Sequence, residues 1–363
     1  MIRILAINPG STSTKFAVYN EAECIFKKTI RHPLEQLLRY KNIIDQFAFR
    51  KGVIIDALVE EGIEVDSIKY IIGRGGLTYP LESGVYKVNN LMLDHLREGV
   101  MGQHASNLAP MLADYIALQI PNARAFIADP VVTDELDNIA RYSGHPRFTR
   151  RSIFHALNQK ATARLHAQKV NKKYEELKLI IAHLGGGISV GAHINGRVID
   201  VNNALDGEGS FSPERSGTLP VGQVIELCFS GKFSEEQLKR MVVGEGGFVA
   251  YLGTNDALNV EKRAKSGDQL AFDIQEALFY QVAKMIGEMA VVLEGKVDGI
   301  LLTGGLAFNP ELEKYIRQKA SFISEIFIYP GEDELEALAM NALRVARGEV
   351  EAKEYLPIIS DIL

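Results

Sequence analysis

The chain has 363 residues, and its 40 Lys and Arg against 46 Asp and Glu give a formal net charge of −6. A hydrophobic fraction of 47% and a charged fraction of 24% are ordinary for globular proteins, which excludes disordered, fibrous and low-complexity classes. Two cysteines, Cys24 and Cys228, are too few for a disulfide framework or a thiolate zinc site. No basic run and no stretch of ~20 apolar residues occurs, so we expect a soluble, cytoplasmic, two-domain protein without nucleic-acid or membrane partners.

Apolar runs and turn signals predict the elements of the first half. Three strands are expected at 2–7, 14–19 and 22–30, and two helices at 34–47 and 52–61. A strand at 69–72, one long helix from about 90 to 118 and a strand at 124–127 follow. The alternation of strands with helices indicates an α/β fold.

The second half has a similar predicted order. Strands are expected at 179–182, 188–194, 197–201, 298–302 and 325–329. Helices are expected at 221–229, 234–242, 260–265, 269–293, 310–320 and from about 332 to 346. The helix at 269–293 has an apolar face that begins with Leu270, Ile274 and Leu278, and core burial or a subunit contact would explain it.

The two halves share a strand–turn–strand–turn–strand rhythm. A shift of 175 residues places Gly10 on Gly185, Ala17 on Ala192 and Asn20 on Asn195, and it places Asn8 on His183. We interpret this pattern as two copies of one α/β domain, the second beginning near residues 150 to 180.

Four glycine-rich turns follow predicted strands, at 8–15, 73–76, 183–187 and 303–305. Glycines at strand ends allow backbone N–H groups to approach an anion. None is a Walker A loop, since Thr14 stands where the second glycine would be, and none has the G-x-G-x-x-G spacing of a nicotinamide dehydrogenase. One such turn is commonplace, but four in a duplicated frame indicate a nucleotide held between two similar domains.

Several polar residues near these turns are candidates for chemistry. Arg74 and Arg215 lie in loops and could clamp a carboxylate or phosphate, although surface arginines are common. Asp129, before Pro130, could reach Mg²⁺ or cap a turn. His155 and His183 are the histidine candidates, and the role of His104 stays open; the acidic residues 332–334 could serve the helix dipole or the water shell of a metal.

Six motifs together resemble the acetokinase family, in order and at similar spacing along the whole chain. They are Ile7-Asn-Pro-Gly-Ser-Thr-Ser-Thr-Lys15, Gly73-Arg-Gly-Gly76, Arg150-Arg-Ser-Ile-Phe-His155, Ala182-His-Leu-Gly-Gly-Gly187, Glu214-Arg-Ser-Gly217 and Leu302-Thr-Gly-Gly305. The resemblance implies two duplicated actin-like (ribonuclease H-like) domains around a central nucleotide cleft. Residues 1–150 with 335–363 would form the first, which carries part of the carboxylate site, and 151–334 the second, which carries most of the ATP site. It also implies reversible phosphoryl transfer from Mg-ATP to a carboxylate, and a homo-oligomer.

The resemblance also implies roles for individual residues. The expected catalytic residues are Arg74, Arg215, His155 and Asp129. The expected nucleotide-binding residues are Asn8, Ser11, Lys15, His183, Gly185, Gly186, Gly187, Gly304, Gly305 and Asp256, although Leu258 replaces an arginine that accompanies Asp256 in acetate kinases. The expected magnesium positions are Asn8, Asp129, Asp333 and Glu334, and the expected substrate pocket comprises Gly75, Gly76, His104, Phe154 and Pro213.

Two departures from acetate kinases bear on the acceptor. Gly75-Gly76 replaces bulkier aliphatic residues, and the loop at 210–214 before Arg215 is shorter, so we expect a pocket roomy enough for a four-carbon acid. Within the family the motifs are most similar to those of butyrate kinases. An acetate or propionate kinase, a sugar kinase with Asp129 as the base, and a non-catalytic ATPase module remain alternatives.

Overall fold

The computed structural model describes residues 2–356, which form two compact units. The first consists of residues 2–133 and 333–356, and the second of Asp134–Glu332. The division therefore precedes the expected boundary at 150. Ion pairs tie the intervening segment to the second unit, because Arg150 pairs with Asp200 at 2.9 Å and Glu135 pairs with Lys160 at 2.5 Å.

Each unit is built on one mixed sheet. The strands of the first unit are β1 (Arg3–Pro9), β2 (Ser13–Asn20), β3 (Glu23–Arg31), β4 (Tyr70–Arg74), β5 (Val85–Lys87) and β6 (Arg124–Ala128), in the order β3-β2-β1-β4-β6-β5. Those of the second are β7 (Leu179–Leu184), β8 (Ile188–Ile194), β9 (Arg197–Val201), β10 (Gly299–Gly304) and β11 (Ile326–Pro330), in the order β11-β10-β7-β8-β9. In both sheets two antiparallel hairpins are followed by parallel strands, so the topology is repeated, with the short β5 added at one edge of the first sheet.

The strand registers of the two sheets give the residue shift that relates the two units. Both second hairpins have a bulge, between Val18 and Tyr19 and between Ala192 and His193, and the residues at the two turns, Glu21 and Asn195, both have φ of 53°. These pairs are 174 residues apart, since 192 − 18 and 195 − 21 both equal 174. The uniform shift of 175 is therefore wrong after the first turn, because the turn between β7 and β8 is one residue shorter than that between β1 and β2.

The helices complete the two units. They are α1 (Leu34–Leu37), α2 (Phe47–Glu60), α3 (Asn90–Glu98), α4 (Leu108–Leu118), α5 (Ala156–Lys169), α6 (Val221–Cys228), α7 (Glu235–Val242), α8 (Gly247–Leu252), α9 (Ala257–Lys265), α10 (Gln269–Val292), α11 (Pro310–Ala320) and α12 (Glu334–Ala346). Short 3₁₀ helices occur at Ile43–Gln46, Val65–Ser67, Ala105–Asn107, Asn138–Arg141, Tyr174–Glu176 and Gly305–Phe308. None of the helices within residues 2–356 is long and apolar enough to cross a bilayer.

Two helix predictions are wrong. The expected helix at 34–47 ends after one turn, because Leu34 and Leu38 are exposed and contribute no core face. The expected helix at 90–118 is two helices, α3 and α4, since Gly99 ends the first in a left-handed conformation with φ of 71°.

The central strands of both sheets are buried on both faces. In the second unit, Ile180 and Ala182 of β7 belong to the large core formed with α10, whereas Ile181 packs with Ala163 of α5. In the first unit α4 and α12 both pack on β1 and β4. Burial of α10 begins at Ala271 rather than at Leu270, which is exposed. Because the middles of the central strands are buried, polar groups that contact a ligand are expected at the glycine-rich strand ends.

Candidate active site

In the first unit, adjacent strand ends bring three predicted residues to one edge of the sheet. Asn8 lies near the end of β1, Arg74 ends β4, and Asp129 follows β6, with Ile7 opposite Gly73 and Arg74 opposite Ala128 in the parallel register. Parallel strands place their carboxyl ends at the same edge. The sequence separation of these residues therefore conceals their proximity.

The carboxylate of Glu334 joins two of these side chains. It pairs with the Arg74 guanidinium at 2.9 Å through one oxygen, and the other oxygen accepts a hydrogen bond from Asn8 Nδ2. Asn8 Oδ1 is buried and has no hydrogen-bond partner among residues 2–356. A buried carbonyl oxygen without a donor is costly, and a cation or its bound water would satisfy it.

Asp129 is held rigidly at the end of β6. Its Oδ1 accepts hydrogen bonds from Ser83 Oγ at 2.6 Å and from the Gly84 backbone N–H at 2.9 Å. Its φ of 38° is unusual for a residue other than glycine. The turn therefore holds Asp129, which is buried, beside the end of β4 instead of leaving it as a solvated cap.

A buried arginine supports the first glycine-rich turn. Arg50 of α2 donates to the carbonyl oxygen of Ser13 at 2.8 Å and to Thr14 Oγ1 at 3.1 Å, and burial lowers its pKa to about 10. Ser11 and Lys15 of this turn are exposed, and Lys15 lies opposite Asn8 in the β1–β2 register. Sequence reasoning missed Arg50, because nothing in the helical pattern distinguishes it from a surface arginine.

Asp333 has a structural role at the start of α12. Its Oδ1 caps the helix by accepting from the Glu336 backbone N–H at 3.0 Å, and its Oδ2 pairs with Lys27 at 2.5 Å. Within residues 2–356 no three or more His, Cys, Asp and Glu side chains are grouped as a metal cluster. Asn8 Oδ1, unpartnered among the described residues, and the Glu334 carboxylate next to it are the groups that could hold a cation or its bound water here.

In the second unit, the two candidate histidines stack on each other. The rings of His155 and His183 are 3.8 Å apart between centroids and 14° from parallel. His183 Nδ1 donates to Asn158 Oδ1 at 2.8 Å, and its Nε2 lies 3.4 Å from a carboxylate oxygen of Glu332. Glu332, rather than Asp333 or Glu334, is thus the acidic residue at this histidine.

Arg215 lies directly on the glycine-rich turn that follows β7. A Cβ at Gly187 would come within 2.0 Å of Arg215 Nη1, so only glycine admits the guanidinium there. The same Nη1 donates to the Ala204 carbonyl at 2.6 Å, and Ser212 Oγ donates to the Gly186 carbonyl at 2.6 Å. This arrangement places a positive charge at the glycine-rich turn, where a guanidinium could bind an anionic group.

The end of β10 forms the other turn of this unit. Gly304 has φ of 88°, and a Cβ there would meet the Leu184 carbonyl oxygen at 2.4 Å, so the close approach of β10 to β7 requires glycine. Gly305 borders open space. Asp256 is exposed and caps α9 by accepting from the Leu258 and Asn259 backbone N–H groups.

The predicted pocket residues have varied surroundings. A Cβ at Gly75 would lie 2.4 Å from Pro130 Cβ, and one at Gly76 would lie 2.6 Å from Leu96 Cδ2, so the argument that these glycines leave open volume is wrong. Phe154 is buried in a small core with Leu136 and Val198. Pro213 is also buried, and His104 caps the 3₁₀ helix at Ala105–Asn107.

Two sheets of the same topology, each with glycine-rich turns at its strand ends, are typical of the actin-like fold, which phosphotransferases share with other nucleotide-binding proteins. The Acetokinase family model matches residues 139–322. Butyrate kinase 2 and butyrate kinase 1 of Clostridium acetobutylicum are 53% and 54% identical to the chain, over 97% and 98% of its length and 99% and 100% of theirs. The crystal structure of Porphyromonas gingivalis acetate kinase superposes with a TM-score of 0.78 at 16% identity, covering 95% of this chain and 100% of that one. The chain belongs to the acetokinase family, and the predicted family and fold class are confirmed.

Proposed function

We propose that the protein is a butyrate kinase, which transfers the γ-phosphoryl group of ATP to the carboxylate of butyrate or isobutyrate and also runs in reverse. The observation that carries this proposal is the identity of 53–54% to two butyrate kinases over almost the whole chain. Arg74 and Arg215, which lie at two of the four glycine-rich turns, support it, since an anionic acceptor and an anionic donor both require positive charge.

The chemistry requires charge neutralisation more than proton transfer. A short-chain carboxylic acid has a pKa of about 4 to 5 and is already ionised at pH 7, so no general base is needed. A carboxylate oxygen forms a bond to the γ-phosphorus while the bond from that phosphorus to the bridging oxygen of ADP breaks, and ADP departs with the electron pair. We propose direct transfer, with Arg74, Arg215 and His155 stabilising the equatorial oxygens and Asp129 not acting as a base.

The magnesium ion of Mg-ATP would neutralise phosphate charge. Asn8 Oδ1, with no partner among the described residues, lies on a side chain bonded to Glu334, and Asp129 lies two strands away at the same sheet edge. We propose that these three residues hold the ion and its water shell. The capping role of Asp333 makes it an indirect contributor through the position of α12.

The preference for a four-carbon acid is inferred from the similarity to butyrate kinases and from the short loop before Arg215. Gly75 and Gly76 do not support it, because they do not open volume. An acetate or propionate kinase is the alternative within the family. A pocket discriminates a missing methylene by only about 1 kcal/mol, so activity should fall gradually as the chain shortens.

A coupled assay of ADP release tests the proposal with Mg-ATP and acids from acetate to valerate, including isobutyrate, with hydroxylamine to trap acyl phosphate. We expect maximal kcat/KM at four carbons and a loss of about 10³-fold in Arg215→Ala. Arg317→Ala, which removes an exposed guanidinium paired with Glu313 of the same helix, is the matched control. A maximum at acetate would establish the alternative, and turnover independent of any carboxylate would refute the acyl kinase function.

A further inference from the structure

A chain of buried polar side chains extends inward from His155. Its Nδ1 lies 2.9 Å from Ser189 Oγ, which lies 2.9 Å from Gln159 Nε2. Gln159 Oε1 lies 2.8 Å from His193 Nε2, and His193 Nδ1 lies 2.7 Å from the Tyr174 hydroxyl. Gln159, Ser189 and His193 are completely buried, so water does not compete for these bonds.

The direction of donation along this chain is determined by backbone groups. Gln159 Nε2 donates to the Ser189 carbonyl oxygen at 3.1 Å, and because a carbonyl only accepts, this end of the amide is the nitrogen. Ser189 Oγ receives that Nε2 and the His155 backbone N–H at 3.4 Å. A hydroxyl has two lone pairs and one proton, so with both lone pairs engaged its proton goes to His155 Nδ1.

The deeper hydrogen bonds, from Gln159 to Tyr174, are consistent with the same direction of donation. Gln159 Oε1 accepts, so His193 Nε2 carries a proton, and His193 Nδ1 accepts from the Tyr174 hydroxyl. Complete burial, with a smaller effect of the nearby Lys160 ammonium, holds the pKa of His193 well below its usual range. This series of hydrogen bonds requires a neutral His193 with a single proton on Nε2.

A glycine on a buried strand makes room for these contacts. A Cβ at Gly191 of β8 would come within 2.8 Å of Gln159 Oε1 and 3.2 Å of His193 Nε2. Its backbone is not in a left-handed conformation, so conformational freedom does not explain this glycine. The space taken by the amide-to-imidazole contact and by Val198 Cγ1, which a Cβ would meet at 3.1 Å, explains it.

We propose that Ser189 and Gln159 are positioning residues that hold His155 as a neutral imidazole with its proton on Nε2. The ring then offers an N–H donor to the transferring phosphoryl group instead of a lone pair that would repel its oxygens. This inference rests on the proposed function, in which His155 acts on that group.

The tautomer is measurable without substrate. A long-range proton–nitrogen correlation spectrum of the full-length protein labelled with nitrogen-15 histidine, at pH 7.5, distinguishes a protonated from an unprotonated ring nitrogen. The His155→Gln variant assigns the signal. We expect His155 with Nε2 protonated and Nδ1 unprotonated, and a ring protonated on Nδ1 would overturn the proposal. Because no substrate is present, this result is independent of whether butyrate is the acceptor.

Substitution of Ser189 tests the consequence for turnover. In Ser189→Ala the His155 signal should move to a mixture of tautomers, and kcat should fall about tenfold with both KM values within about twofold of the native enzyme. Ser324→Ala, which removes a hydroxyl bonded to the Val297 carbonyl elsewhere in the unit, should leave kcat unchanged. Gln159→Leu should change the spectrum in the same direction as Ser189→Ala. Native kcat in Ser189→Ala with an unchanged spectrum would refute the proposal.

Discussion

At the scale of single residues, the contact of Arg215 with Gly187 makes a precise steric prediction. Gly187→Ala would place a methyl group 2.0 Å from Arg215 Nη1 without straining the backbone, because the φ of Gly187 is not positive. The guanidinium must then leave the turn, and we expect activity to fall about 10²–10³-fold, nearly as far as in Arg215→Ala. The ADP-release assay measures this, with Gly287→Ala, which meets no atom within 4 Å, as the control. Retention of activity within threefold would contradict the role assigned to this contact.

Asn8 offers a second prediction at this scale, concerning the metal. In Asn8→Ala we expect the Mg²⁺ concentration for half-maximal activity to rise about tenfold, because an amide oxygen that is otherwise unpartnered is lost. Asn20→Ala is the matched control, since Asn20 Oδ1 is also buried without a described partner but lies at the opposite end of the β1–β2 hairpin. An equal Mg²⁺ requirement in both variants would show that the orphaned oxygen of Asn8 is not a ligand.

At the scale of elements, β10 and β7 meet so closely that one glycine is indispensable. Gly304→Ala would combine a left-handed φ of 88° with a contact of 2.4 Å to the Leu184 carbonyl oxygen. We expect a loss of more than about 2 kcal/mol in the free energy of unfolding, measured by urea denaturation. The neighbouring Gly305→Ala should change it by less than about 0.5 kcal/mol, because its Cβ enters open space. Equal stability of the two variants would contradict this packing.

Elements also show why sequence reasoning succeeded in one place and failed in another. Buried apolar runs such as residues 4–7 of β1 predict strands accurately, since both faces of the sheet are covered. Helix α5 was not predicted, because Gln159, Lys160 and His166 lie on its buried side and hide its apolar periodicity. Buried polar contacts, those of Gln159 in the hydrogen-bond chain that ends at His155 and those of Lys160 and His166 with Glu135 and Tyr329, are therefore the reason why this helix has no sequence signature.

Most features of the site that the sequence did not predict are contacts between residues far apart along the chain. The motifs identify Arg215 and Gly187 separately, but the guanidinium over the turn is a contact between residues 28 positions apart, as 215 − 187 = 28. Arg50 beneath the first turn and Glu332 at His183 likewise depend on tertiary packing. Local spacing therefore indicated which residues matter, and the fold determines what they contact.

At the scale of the whole molecule, the duplication preserves a scaffold while the site chemistry differs. The bulge and the turn with φ of 53° recur in both units at Val18 and Glu21 and at Ala192 and Asn195. In contrast, the equivalent positions near the ends of β1 and β7 carry Asn8, bonded to a carboxylate, and His183, stacked on a second imidazole. The hairpin geometry is thus the same in both units although the residues that form it differ, and the strand ends carry side chains of different chemistry.

Stability against acid is a property of the whole chain, because buried histidines of both units contribute to it. Burial lowers the pKa of His193, His166 and His32, with smaller contributions from the neighbouring cations Lys160, Lys169 and Arg50. A folded pKa below the unfolded value of about 6.5 means that the unfolded chain binds more protons, so stability is retained above pH 6.5 and lost as the pH falls below it.

We therefore expect the thermal unfolding midpoint, followed by circular dichroism, to be constant between pH 7 and 8 by this mechanism and to fall from about pH 6.5 to 5.5. Protonation of unfolded His193 alone accounts for up to about 1.4 kcal/mol per pH unit across that window, because its folded form stays neutral. His193→Gln, which keeps an amide N–H for Gln159 but does not titrate, should lower the midpoint at pH 7.5 and reduce its dependence on pH. A slope as steep in this variant as in the native protein would mean that His193 is not a source of the acid sensitivity.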